Sequence, residues 1–392
     1  MIWITPVLAS YLFSLVAGLE LTIDPNYVAD AGKSVQRAQS KYARYYDAPL
    51  HGNVYGADDI RINTVQKQNG AIPLNESGYD LEYYGTVSVG TPSQKLKLNF
   101  DTGSSDLWFA CIKCLSCGTT RTKYNPYASI SYTHTLGSWT ITYGDGSTAG
   151  GHVGYDTVNL GGFNIKRQTL QLASYRSQVF EDCPTDGILG LGFNSIATIP
   201  HVVSPMENLI RQQLINQPIF SVYYGKASEG GGGELLFGDY NPKHIAGNLT
   251  TIPIDKSEGF WGVNVESIST GNETFGKNLT AIVDTGTTLL ILPDDIAQTV
   301  AKKYNATDNG NGTFKITCDK SKLEPLVFTI ANTKFMVPPD SLIYVEQDKS
   351  CTAGFAYAGM PFTIIGGAFI KNHYIIFNVQ VPHIQMAPSK RC

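Results

Sequence analysis

From about residue 70 onward the chain is a succession of short alternating runs broken by turn residues, the pattern of strands and hairpins. Tyr83 to Val89 alternates and Gly90-Thr91-Pro92 then turns it, so Lys95 to Phe100 is predicted as the return strand, with Asp101 at its end. Trp139 to Tyr143, an Asp145-Gly146 turn and a strand resuming at Ser147-Thr148 predict a second hairpin. Gly259 to Val265 and Leu279 to Val283 predict another pair of strands, ending at Asp284. Gly230 to Gly233 reads as a loose hairpin loop before the strand Glu234 to Gly238. Helices are few. Ser204-Pro205-Met206-Glu207 is a capping box with proline at the first helical position, followed by Leu209, Ile210 and Leu214. Pro293-Asp294-Asp295 opens another helix, with Ile296, Val300 and Tyr304 on one side.

The first 70 residues differ. Met1 to about Gly18 is apolar and ends in the small residues Val16-Ala17-Gly18, which suits a signal-peptidase site and is short for a bilayer span. Between Ala31 and Tyr46 lie Lys33, Arg37, Lys41 and Arg44 without an acidic residue, three and four apart as on one helix face. A solvated helix face is the plain reading of such a stripe.

With 392 residues the chain can hold two domains with real cores. Its 39 glycines and many hydroxyl and tyrosine residues favour a mostly β architecture. A net charge of -4 with 16% charged residues offers no basic surface for nucleic acid. Beyond the amino terminus there is no apolar run long enough for a membrane helix.

The chemistry sits at two near-identical stretches, Phe100-Asp101-Thr102-Gly103-Ser104-Ser105 and Val283-Asp284-Thr285-Gly286-Thr287-Thr288. Each sets a carboxylate at the end of an apolar strand, where it is costly unless bonded or used. A single Asp-Thr-Gly is ordinary turn chemistry. Here the echo is double, because Ile188-Leu189-Gly190 follows the first stretch and Ile364-Ile365-Gly366 the second. The pattern predicts two similar lobes whose loops face each other. Two carboxylates about 3 Å apart cannot both ionise and so share one proton, an acid beside a base.

With Asp101 to Trp108, Tyr143 to Ser147 and Asp284 to Pro293 as its motifs, the chain from about Leu81 to Pro388 resembles the pepsin-like aspartic proteases, in particular secreted fungal members. The resemblance implies a bilobal fold with a cleft and an endopeptidase made as a zymogen. It divides the chain into a signal peptide (1–18), an inhibitory prosegment (19–68), an N-terminal lobe (69–242) and a C-terminal lobe (243–392), with a cut near Lys67 to Ala71. Asp101 and Asp284 become the catalytic pair. Thr102, Gly103, Ser104, Thr285, Gly286 and Thr287 support it. Tyr143, Gly144, Asp145 and Ser147 belong to a flap over the substrate, backed by Trp108. Lys41 lies across the carboxylates in the latent form. Large apolar residues are expected around the cut, with Asp145 accepting a lysine before it. Cys114 with Cys117, and Cys318 with Cys351, match the family's two bridges. Many relatives carry aspartate where this chain has Gly367, and losing that charge should make the pair easier to ionise.

Seven cysteines suit an oxidising compartment, and Cys111, Cys183 and Cys392 are left over. A zinc site at Cys111, Cys114 and Cys117 lacks a second ligand cluster, so neither metal nor cofactor is expected. Glycosylation sequons stand at Asn75, Asn248, Asn272, Asn278, Asn305 and Asn311. The expected partners are protein and peptide substrates and the chain's own prosegment, in a secreted or vacuolar monomer. No G-x-S-x-G or H-E-x-x-H occurs, which removes the commonest serine and zinc hydrolases. The alternative function is a catalytically silent peptide-binding or inhibitor protein on the same scaffold.

Overall fold

The computed structural model describes residues 29–43, 70–77, 82–118, 122–142, 148–177, 180, 184–347 and 350–390. Within these the protein is mostly β, organised as one sheet of thirteen strands and one of ten, with short helices. Among the described residues no helix is long and apolar enough to cross a membrane.

The two sheets repeat one local arrangement. In the larger, Gln94–Asp101 lies between Glu82–Val89, antiparallel to it, and Gly187–Gly190, parallel to it, with Asp101 beside Gly190. Leu107–Ala110 then pairs antiparallel with Gly187–Gly190. In the smaller, Glu273–Val283 lies between Gly262–Thr270, antiparallel, and Thr363–Ile365, parallel, with Val283 beside Ile365. Leu290–Leu292 pairs antiparallel with Thr363–Ile365. Each aspartate-bearing strand therefore has a short parallel strand on one side and a longer antiparallel one on the other, and Leu98, Leu189, Val283 and Ile365 are buried beneath. Parallel strands buried on both faces read as unbroken apolar runs, as Ile364-Ile365 does.

The chain's last strands return to the first sheet. His373–Asn378 pairs with Ile219–Tyr224, and His383–Pro388 with Thr250–Pro253. The larger sheet thus contains strands from both ends of the sequence. Where Ile219–Tyr224 turns back into Gly233–Phe237, Gly230, Gly231 and Gly232 all have positive φ (99°, 67° and 73°), which is why three glycines stand together there.

The helices follow their capping residues. Ser204 accepts from the Glu207 N–H at 3.3 Å and starts Pro205–Arg211; this helix stops before Leu214, which packs from the following turn. Asp294–Lys303 turns Ile296 and Val300 into the core, with Tyr304 at its cap. Helix α1, Ala31–Tyr42, begins where the Asp30 carboxylate accepts from the Lys33 N–H at 3.1 Å.

Disulfides join Cys114 to Cys117 and Cys318 to Cys351. Cys111 is a buried free thiol, whereas Cys183 and Cys392 lie outside the described residues. Asn248, Asn272, Asn278, Asn305 and Asn311 are exposed, and Asn75 is half-buried in Ala71–Ser77. The segments 1–18 and 44–69, including Arg44, lie outside the described residues.

Candidate active site

At the end of each central strand the chain turns so sharply that the loop's own amides and hydroxyls reach back to the carboxylate. The Gly103 N–H donates to Asp101 Oδ1 at 2.9 Å, and the Gly286 N–H to Asp284 Oδ1 at 2.9 Å. The Ser104 hydroxyl donates to Asp101 Oδ2 and the Thr287 hydroxyl to Asp284 Oδ2, both at 2.5 Å. The two loops bond each other through Thr102 and Thr285. The Thr102 N–H donates to Thr285 Oγ1 at 3.0 Å and the Thr285 N–H to Thr102 Oγ1 at 2.9 Å. Each hydroxyl then donates across to the other strand, Thr102 to the Val283 carbonyl at 2.8 Å and Thr285 to the Phe100 carbonyl at 2.6 Å. Four interlocked bonds between buried groups fix the spacing of the two aspartates.

That spacing is close. Oxygens of both carboxyl groups lie within 3.0 Å of a single atom, the Lys41 Nζ. A methyl group at Gly286 would overlap the Asp101 carboxylate, so only glycine fits that position.

Into this junction α1 inserts its last turn. Lys41 Nζ lies 2.5 Å from Asp101 Oδ1 and 3.0 and 2.9 Å from the two oxygens of Asp284. The Tyr42 hydroxyl donates to Asp284 Oδ2 at 2.9 Å, and its ring packs on Phe260 and Phe362 at 5.3 and 5.8 Å between centroids. Farther along the helix, Arg37 bonds Glu82 at 2.6 Å. Ala31, Val35, Ala38 and Tyr42 form the buried stripe beneath these cations. Tyr42 and the Arg37–Glu82 pair were not singled out in the sequence. The signal for Tyr42 is that stripe's spacing, which runs along α1 beside the basic positions and ends at the tyrosine.

Burial pushes the Asp101 carboxyl up, and the Asp284 charge adds to this while the Lys41 ammonium only partly offsets it, leaving Asp101 at about 6. Burial acts on Asp284 in the same direction but is outweighed by Lys41, the contact with Asp101 and the Thr287 hydroxyl, which bring it down to about 2. The pair titrates as a unit, with one proton held and one charge retained through mildly acidic pH. Burial alone would lower Lys41, yet the two carboxylates win and hold it above the usual lysine value.

A cleft of about 730 Å³ surrounds the pair, with Trp108, Ile141, Phe180 and Ile188 on one wall and Phe260 and Thr288 on the other. Trp108 is buried against Trp139 and Phe180, at 6.1 and 5.6 Å between centroids. Tyr143, Gly144, Asp145 and Ser147 lie outside the described residues, between the strands Thr133–Thr142 and Thr148–Leu160.

A profile of the eukaryotic aspartyl proteases matches residues 82–389, and the chain belongs to that family. It is an aspartic-type endopeptidase, hydrolysing peptide bonds in proteins and peptides. It is 48% identical to rhizopuspepsin-4 of Rhizopus niveus over 94% of this chain and 92% of the relative. It is also 48% identical to syncephapepsin of Syncephalastrum racemosum, over 96% and 93%, and 49% identical to rhizopuspepsin-1 of Rhizopus niveus, over 94% and 92%.

Proposed function

We propose that this chain is the secreted precursor of the endopeptidase and that Asp101 and Asp284 together activate one water molecule for attack on the peptide carbonyl. The ionised carboxyl takes a proton from that water as general base. The protonated one gives its proton to the carbonyl oxygen, and a proton then passes to the leaving nitrogen. No covalent intermediate forms. Gly103, Ser104, Gly286 and Thr287 orient the carboxyl oxygens, and Thr102 and Thr285 hold the two loops in register. The observation that carries this reading is the convergence of both carboxylates on one atom, with Lys41 Nζ 2.5 Å from Asp101 Oδ1 and 2.9 Å from Asp284 Oδ2. A point of that size is where a bound water would sit.

Residues 19–68 are the inhibitory prosegment in this reading, and Lys41 blocks that point until acid weakens its pairing. Residues 1–18 direct secretion, and 69–242 and 243–392 are the two lobes of a glycosylated monomer. Tyr143, Gly144, Asp145 and Ser147 close over the bound peptide, backed by Trp108. The apolar cleft walls favour large apolar side chains around the cut, with Asp145 taking a lysine before it. The test is cleavage of a peptide library at several pH values. Asp101→Asn and Asp284→Asn should each abolish acid hydrolysis, and a statine-type inhibitor should block the wild type. Hydrolysis that survives both substitutions would remove the pair from the mechanism. Equal cleavage after lysine by Asp145→Ala would leave that residue only its turn.

A further inference from the structure

Outside the residues that line the cleft, the strands Thr133–Thr142 and Thr148–Leu160 bring two imidazoles together on an open face. We infer that His134 and His152 form a binding site for a divalent transition-metal ion of the imidazole-preferring group: Cu²⁺, Ni²⁺ or Zn²⁺. The strands pair antiparallel, His134 opposite Gly154 and Ser138 opposite His152, with residues 135–137 bulged between. Opposite His134 there is no side chain, and the Tyr132 ring covers the Gly154 backbone. The side chain His134 meets is then the diagonal one, His152, with ring centroids 6.5 Å apart and planes at 65°.

Both histidines are exposed, so their ring nitrogens can exchange water for metal. Their backbones are nevertheless fixed. The Thr135 hydroxyl donates to the Val153 carbonyl at 2.7 Å and accepts from the Gly137 N–H at 3.1 Å, which pins the bulge to the facing strand. A metal about 2 Å from one nitrogen of each ring holds the centroids roughly 5 Å apart at a tetrahedral angle and about 6.4 Å apart only when the two nitrogens stand opposite each other, so the rings, now 6.5 Å apart, must turn toward one another to bind it. Small side-chain rotations therefore close the site, and water completes the coordination. Imidazole suits copper, nickel and zinc, whereas magnesium and calcium require oxygen ligands. Among the described residues the one group of three ligating side chains, Cys318, Glu346 and Cys351, has both sulfurs tied in a disulfide and offers no thiolate.

The test is calorimetric titration of the untagged full-length chain with CuCl₂, NiCl₂, ZnCl₂ and MgCl₂. With the helix seated, Lys41 occupies the carboxylates of the cleft and keeps them from competing. One equivalent should bind, copper most tightly and magnesium not at all, and the ion should raise the melting temperature. His134→Asn and His152→Asn should each weaken binding at least tenfold, and the double variant should lose that equivalent and the thermal shift. Retained peptide cleavage after acid treatment would show that the variants fold. A double variant that binds copper as the wild type does, or a wild type that takes up none at millimolar copper, overturns the site.

Discussion

Lys41 has one charge and two carboxylates to satisfy, and Asp101 and Asp284 divide unevenly around it. Asp284 is lowered from 3.8 to about 2, so its contribution to folding is present above 3.8 and is lost as pH falls through about 2. Asp101 is raised to about 6, so its contribution is complete below 3.8 and fades as pH rises through about 6. These two groups together make the uncut chain most resistant to unfolding near pH 4. Stopped-flow urea unfolding, read by tryptophan fluorescence before any cleavage, should show that maximum, and Lys41→Met should move the acid-side loss to higher pH. Replacing Lys41 by Ala leaves two carboxylates under the helix without their cation, a change worth about 3–5 kcal/mol. Binding of a statine-type inhibitor to the uncut Lys41→Ala chain near neutrality should rise at least ~100-fold over wild type. Unchanged latency would deny the lysine its inhibitory part. Gly286 makes the complementary point: a methyl group there enters the Asp101 carboxylate. Gly286→Ala should cut turnover by about 100-fold or more, which steady-state kinetics would read, and overpacking against the buried Asp101 should also cost about 1–3 kcal/mol of stability.

At the scale of elements, α1 shows how far sequence pattern carries and where it stops. Its basic positions were legible, and a solvated face was their plain reading, yet Lys41 is only 14% exposed because the helix lies in the cleft. The tyrosine beside it was harder to assign. A periodic stripe of Ala31, Val35, Ala38 and Tyr42 says that one face is buried but does not name what covers it, and Phe260 and Phe362 lie more than two hundred residues away in the chain. The aspartate loops were easier, since each carries its own bonding partners within three residues and the duplication shows that two must meet. Tyr42→Phe isolates the hydroxyl, keeping the ring against Phe260 and Phe362. Losing a hydrogen bond to a charged acceptor costs about 1.5–3 kcal/mol. Inhibitor binding to the uncut chain should therefore strengthen about 10- to 100-fold, less than for Lys41→Ala. An effect as large as the lysine's would mean that the ring, too, has lost its seat.

At the scale of the whole molecule, a mostly β chain with duplicated motifs was readable, because alternation and turns are local. That the last strands cross back to the first sheet was not, because pairing between distant segments leaves no mark in either one. This return gives the two halves a common core. Phe377 stacks on Phe220 at 4.6 Å and meets Trp261 edge-on at 5.0 Å. Trp261 in turn donates its indole N–H to the Leu191 carbonyl at 3.0 Å, while its own carbonyl accepts from the Val283 N–H at 3.0 Å, one residue before Asp284. One tryptophan is thus bonded to the segment after Gly190 and to the strand that carries the second aspartate. Phe377→Ala removes the ring that packs against it, and truncating a fully buried phenylalanine costs about 3–5 kcal/mol. If the halves are coupled through this contact, the loss appears in both: urea midpoints from near-ultraviolet dichroism and from exchange of amides in each sheet should fall together. Inhibitor binding to the acid-activated variant should weaken as the aspartate loops lose their common support. A midpoint that falls for the thirteen-stranded sheet alone would show that the second half folds without this contact.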